Sequence, residues 1–406
     1  MSDRMRWKRL LCLVLAAMLL ALPGSGGAQQ VLEVQDVKVD YDFGRQIRFE
    51  ARILTPGVQQ ASLFFRRADE DVTRVEPLTL DADGMARFTY EASLNLIPPF
   101  STILFWFQAA LAGGGTLTSP QLNFRYDDNR FAWQQAADGA LTVHWYQGDA
   151  AFGQAALDAA RQGSAAVTGL LGPVPDAPLD LYVYSNPEDL RGALPLGGAE
   201  WVGGHADPSV GAAMVVIPPG ESQAIAMETG IPHELAHVLL YRFTGSGYDA
   251  LPAWLNEGIA SLAEAYPKPD YAGTLAAAAR DGSLIPLADL CTSFPADAGR
   301  AFLAYAQSQS FTRYLRDTFG TTGLSALIHS YADGMDCEDG ARQAVGMPLS
   351  RLEARWRESA LAQNPAGAAL RGLAPYLVVM GLALLIPLLG AVNMAAEKRR
   401  NERRSK

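Results

Sequence analysis

The stretch Ile231–Leu240 reads IPHELAHVLL. Its two histidines, His233 and His237, are four residues apart, so on a helix they lie on one face. Neutral imidazoles in that arrangement chelate a single Zn²⁺ ion. Glu234 follows the first histidine directly. Its carboxylate would stand near the open position of such a site, where it can take a proton from a water molecule on the metal. The chain holds 5 histidines in 406 residues, so this spacing is poorly explained by chance. Pro232 has no N–H to lose and suits the first turn of a helix, which predicts a helix beginning there.

A histidine pair needs a third ligand. The metzincin pattern would place glycine and histidine at positions 240 and 243; this chain has Leu240 and Phe243, which excludes that class. A second run, LPAWLNEGIASLAE (Leu251–Glu264), supplies Glu257. If its helix folds back antiparallel to the first, His233, His237 and Glu257 complete a His₂Glu set with one position open for water. Glu264 lies two helical turns beyond Glu257 on the same face. It can accept a hydrogen bond from the far nitrogen of a ligating histidine.

These motifs resemble those of the gluzincin metallopeptidases. HELAH with WLNEG, and LAE after it, matches the thermolysin-like enzymes and the zinc aminopeptidases alike. The pattern is most similar to the peptidase MA-like domain family of bacterial membrane proteins. The likeness runs from about Phe131 to Leu361 through VHWYQGD, LYVYSNPEDLRGAL, WVGGHADP and YAQSQSFTRYL. It implies one Zn²⁺ per chain and a peptide or protein substrate. It also implies a tyrosine or histidine that steadies the oxyanion, for which the candidate is Tyr305. Gln309 and Arg313 on the same run can line that cleft. The resemblance further implies an edge strand that takes substrate backbone by β-augmentation, assigned to Gly211, Ala212, Ala213 and Met214. Aminopeptidases of this class carry Gly-Ala-Met-Glu-Asn there, with the glutamate holding the substrate amine. Val215 follows Met214 here, and the missing acid favours an endopeptidase. The alternative is a catalytically silent binding or scaffold protein of the envelope on the same fold.

Around this centre the chain is α+β. Val31 to about Tyr126 shows roughly seven short β-branched or aromatic runs, separated by turns such as DADG and AGGGT, as in an immunoglobulin- or fibronectin-like sandwich. The pattern changes near DDNRFAW (Asp127–Trp133). LTVHWY, LDLYVYS and AAMVVIPPG read as strands, with a helix from Ala150 ended by Gly172 and a short helix at NPEDLRGAL. From Ser222 nearly all is helical. The expected layout is a signal peptide over 1–28, a β-sandwich over 29–128, a gluzincin-type domain over 129–362, a linker over 363–372, a membrane helix over 373–396 and a cytoplasmic basic tail over 397–406.

The ends carry the membrane signals. Arg4, Arg6, Lys8 and Arg9 precede an apolar run from Leu10 to Leu22, with Gly26 and Ala28 before a cleavage site at Gln29. No charged residue lies between Gly372 and Ala396, and Lys398, Arg399, Arg400, Arg403, Arg404 and Lys406 follow. The positive-inside rule puts that tail in the cytoplasm, so the middle faces outward from a bacterial cell membrane on a single span. Net charge is −10, which argues against a nucleic-acid partner. Cys291 and Cys337, the pair left outside the leader, suggest a disulfide in that oxidising setting. His205, in the glycine-rich WVGGHADP, reads as a loop residue, and His144 and His329 as partly buried or surface histidines. Oligomeric state is not encoded in any pattern.

Overall fold

The computed structural model describes residues 31–194, 203–266, 268–361 and 380. The expected signal peptide, linker and basic tail lie outside these residues, as does the expected membrane helix apart from Met380. Among the described residues no helix is long and apolar enough to cross a membrane. The chain divides into two compact units, one running to Ile97 and resuming over Ser101–Asp127, the other made of Pro98–Phe100 and the chain from Asp128 onward.

The first unit is all β. β1 (Val34–Asp42), β2 (Gln46–Ile53) and β5 (Met85–Tyr90) pair antiparallel, as do β3 (Val58–Arg67), β6 (Ser101–Leu111), β7 (Thr116–Thr118) and β8 (Leu122–Tyr126). β4 (Arg74–Leu80) bridges the two sets: most of it pairs with β3, and Thr79 and Leu80 pair with β5. Alternation puts every second residue of β2 and β6 inside. Phe49 of β2 meets Phe65 of β3 and Phe105 of β6 at ring separations of 5.4 Å, so the two sets face each other across an aromatic core. The three-residue β7 is an addition to the seven runs visible in sequence; it is too short to show a period.

The second unit holds a five-stranded mixed sheet and a set of helices. The sheet runs β12 (Gly204–Asp207), β13 (Ala212–Val216), β11 (Leu179–Tyr184), β10 (Leu141–Trp145), β9 (Gln134–Asp138). The three inner strands are parallel and the two outer ones antiparallel to their neighbours. Val143, Leu181, Val183, Ala213 and Val215 face one buried cluster with helices α1 (Ala150–Leu171) and α3 (Gln223–Thr244). Between them α2 (Pro187–Arg191) is a single short turn. On the other face His144 is stacked on Tyr182 and hydrogen-bonded to Asp180. Gly163 of α1 lies against Pro232 of α3, where a Cβ would come 2.8 Å from the Pro232 Cα.

Behind these come α4 (Ala253–Ala263), α5 (Pro269–Asp281), α6 (Ala298–Ala332, broken at Gly320), α7 (Cys337–Val345) and α8 (Leu349–Ser359). Gly258 lets α4 press onto α6: a Cβ there would meet the Ser308 carbonyl oxygen at 2.7 Å. Trp254 and Phe311 fill the interface, with rings 5.0 Å apart. Cys291 and Cys337 are joined as a disulfide, 46 residues apart in sequence, tying the segment after Leu287–Leu290 to α7.

Two expectations change. Pro232 does not start the zinc-motif helix: α3 begins at Gln223, and Pro232 lies inside it. A proline there leaves the carbonyl four residues earlier without its helical donor. That carbonyl, on Glu228, accepts from the Ala265 N–H at 3.0 Å, just past α4. The missing bond therefore becomes a tether between the two helices that carry the motif. The second change is the edge strand. Gly211 precedes β13, and Ala212, Ala213 and Met214 lie within it, with β11 on one side and β12 on the other. Both rows of backbone groups are already paired, so this segment cannot accept a substrate strand. Among the described residues the outer strand on this side of the sheet is β12, which carries His205.

Candidate metal centre

α3 presents His233 and His237 one turn apart, and α4 presents Glu257 towards them. One donor atom from each lies within 4.8 Å of the others. Glu257 Oε2 stands 3.4 Å from His233 Nε2 and 3.9 Å from His237 Nε2. Two ligands each about 2.0–2.1 Å from a tetrahedral ion stand roughly 3.3 Å apart, so the spacing suits zinc. That same oxygen is buried and has no hydrogen-bond partner among the described residues. A buried carboxylate oxygen left bare is costly, and a cation at the convergence of the three groups would satisfy it.

The far nitrogens are held. His233 Nδ1 lies 2.9 Å from Glu264 Oε1, and His237 Nδ1 lies 2.9 Å from Asn256 Oδ1. Each acceptor keeps the proton on Nδ1 and turns Nε2 towards Glu257. Asn256 is itself fixed, donating from Nδ2 to the Tyr248 hydroxyl at 3.0 Å. Burial works against a charge on His233, but the carboxylates of Glu257 and Glu264 outweigh it and lift its pKa to about 10. Burial pushes Glu257 up, yet His237 and His233 bring it below the usual carboxylate range. The pocket is thus built for a cation among carboxylates, whether proton or metal.

Glu234 is next to this set, and burial raises its carboxyl above the usual range. β12 passes directly over it: at Gly204 a Cβ would lie 2.6 Å from the Glu234 Cδ. Tyr305, on α6, has its ring 6.3 Å from that of His233. Burial first, then Glu257 and Glu234, raises its pKa, so the phenol stays protonated. Gln309 does not line the cleft. It is buried, and its Nε2 donates to the Ser261 carbonyl at 3.0 Å, tying α6 to α4. His205 is a strand residue rather than a loop one. Burial and His237 lower its pKa.

A family model, that of the peptidase MA superfamily, matches residues 159–362, half of the 406-residue chain. The chain belongs to the peptidase MA superfamily. The matched span of this peptidase MA member runs from α1 to just past α8 and contains all of the groups above. Among solved structures it is similar to an M1 zinc metallopeptidase from Deinococcus radiodurans, at 14% identity and a TM-score of 0.37, over 81% of this chain and 94% of that one. It is also similar to an aminopeptidase N family protein from Idiomarina loihiensis, at 8% identity and a TM-score of 0.36, over 80% and 73%. No curated protein matches it.

Sequence reasoning missed Asn256, Tyr248 and Gly204. Asn256 precedes Glu257 in the quoted motif, and an amide one residue from a ligand was the available signal. Gly204 sits on a segment without a regular period.

Proposed function

We propose that this chain is a zinc-dependent metallopeptidase with His233, His237 and Glu257 as ligands. The observation that carries the reading is the convergence of three donors, two of them histidines whose outer nitrogens are held by Glu264 and Asn256, around a buried Glu257 oxygen without a partner among the described residues. Zinc there would supply a Lewis acid that polarises the scissile carbonyl and makes a water molecule more acidic. Glu234 takes the proton from that water and hands it to the leaving amine; its raised pKa brings it nearer the pH at which it must do both. Tyr305, kept protonated, donates to the oxyanion as charge develops on it. The outer edge of β12 receives the substrate backbone.

An endopeptidase fits better than a strict aminopeptidase. Gly204 abuts Glu234 and Ala206 packs on the core cluster, so the face of β12 towards the centre carries no carboxylate to hold a free amine. The uncharged run from Gly372 to Ala396 and the basic residues after it support an anchor with this domain outside the cell. A silent scaffold would have no use for Glu234 beside a complete ligand set.

Glu234→Gln tests the reading. The variant should bind zinc as the parent does and lose cleavage of a quenched peptide by roughly 10²- to 10⁴-fold. Retained turnover would contradict it.

A further inference from the structure

Lys268 is badly placed for a structural lysine. It caps the N-terminus of α5 without a side-chain hydrogen bond. That position favours Ser, Thr, Asp or Asn, and a cation there meets the positive end of the helix dipole. A local rule broken without an evident structural gain points to a functional group.

The side chain is nevertheless directed. Its Nζ lies 5.5 Å from the centre of the Tyr271 ring and 5.9 Å from that of Tyr305. Two aromatic faces hold an ammonium in place by cation–π attraction. The nearest carboxylate oxygen is Glu264 Oε1 at 3.9 Å, beyond hydrogen-bond length, and that atom is already engaged by His233 Nδ1. Among the described residues the ammonium is therefore held beside the metal centre without a hydrogen-bond partner. It is also 45% exposed, so a ligand can reach it.

Resting on the peptidase reading, we propose that Lys268 sets substrate specificity by receiving a substrate carboxylate close to the scissile bond. That carboxylate is an acidic side chain or the C-terminal carboxylate of a short peptide. Lys268 makes no bond to the reacting atoms. Tyr271 and Tyr305 orient it, and Tyr305 is itself the proposed oxyanion donor.

The test uses the zinc-loaded full chain and quenched peptides of equal length. One is neutral and amidated, a set carries glutamate at each position flanking the bond, and one is neutral with a free C-terminus. Wild type should prefer a carboxylate-bearing peptide by about tenfold in kcat/KM, as for one charge-assisted hydrogen bond. The glutamate and free-terminus peptides tell the two sources apart. Lys268→Gln should bring the ratio near one, Lys268→Arg should keep most of it, and Lys268→Glu should push it below one. In the Glu234→Gln background, anisotropy with a labelled acidic peptide should show the same loss on Lys268→Gln without any turnover. An equal fall for every peptide means a bracing role and overturns the assignment. So does wild-type cleavage with no charge preference, which leaves the peptidase reading intact. No cleavage of any peptide by zinc-loaded wild type overturns both.

Discussion

Gly204 lies against the carboxyl end of Glu234 with no room for a side chain between them. The edge strand therefore fixes where the proposed base can sit. A methyl at residue 204 would displace the tip of Glu234 rather than any metal ligand. Gly204→Ala should keep its zinc and lose about 10- to 100-fold in kcat, the size expected for a misplacement near 1 Å. Steady-state kinetics with parallel metal analysis decides it. An unchanged kcat would show that Glu234 is not held by β12.

Asn256 acts on the metal through His237. Asn256→Ala removes the acceptor at Nδ1 and should weaken zinc by roughly 10- to 100-fold in a chelator competition. Asn256→Asp keeps an acceptor there and should lose less. Equal affinity in all three proteins would mean that His237 needs no such support.

The Cys291–Cys337 link closes a loop with a sequence separation of 46 residues. On the chain-entropy model that constraint is worth about 4 kcal/mol. Replacing both cysteines with serine should lower the free energy of unfolding by close to that amount, read from denaturant midpoints. Cys291 also accepts from the Ala253 N–H at the head of α4, so loosening should extend towards Glu257.

His205 provides a pH signature. Burial holds its pKa below 6.5 in the folded chain. Between that lowered value and 6.5 the unfolded chain binds more protons, so this residue costs stability as pH falls through the window. Its imidazole resonance should titrate below 6.5. His205→Gln should flatten stability across that range.

The parts of the site that were legible in sequence share a cause. His233, Glu234 and His237 sit at fixed helical offsets and Glu257 lies on a second helix, so spacing alone projects them towards one centre; Glu264, expected two turns along that helix, lies just past its end and reaches His233 from there. What was hidden depends on contacts across the chain. Pro232 resembles a helix start until Ala265 is seen to pair with the Glu228 carbonyl. β12 has four residues, all partly buried, which gives no alternation to read. The resemblance assigns the edge to Gly211, Ala212, Ala213 and Met214 instead, although the apolar character of that run marks an interior strand. The polar β9, QQAAD, hides in the same way. In the first unit β2, β3 and β6 were visible because every second residue is buried, and β4 because burial alternates along it.

The most direct test of the central claim is zinc content by mass spectrometry on the purified full-length chain, beside His237→Ala. Near one zinc per chain in wild type, lost in the variant while the fold is retained, is the predicted result. A folded wild-type chain without zinc, or a variant that keeps it, would contradict the assignment of His233, His237 and Glu257 as a metal centre.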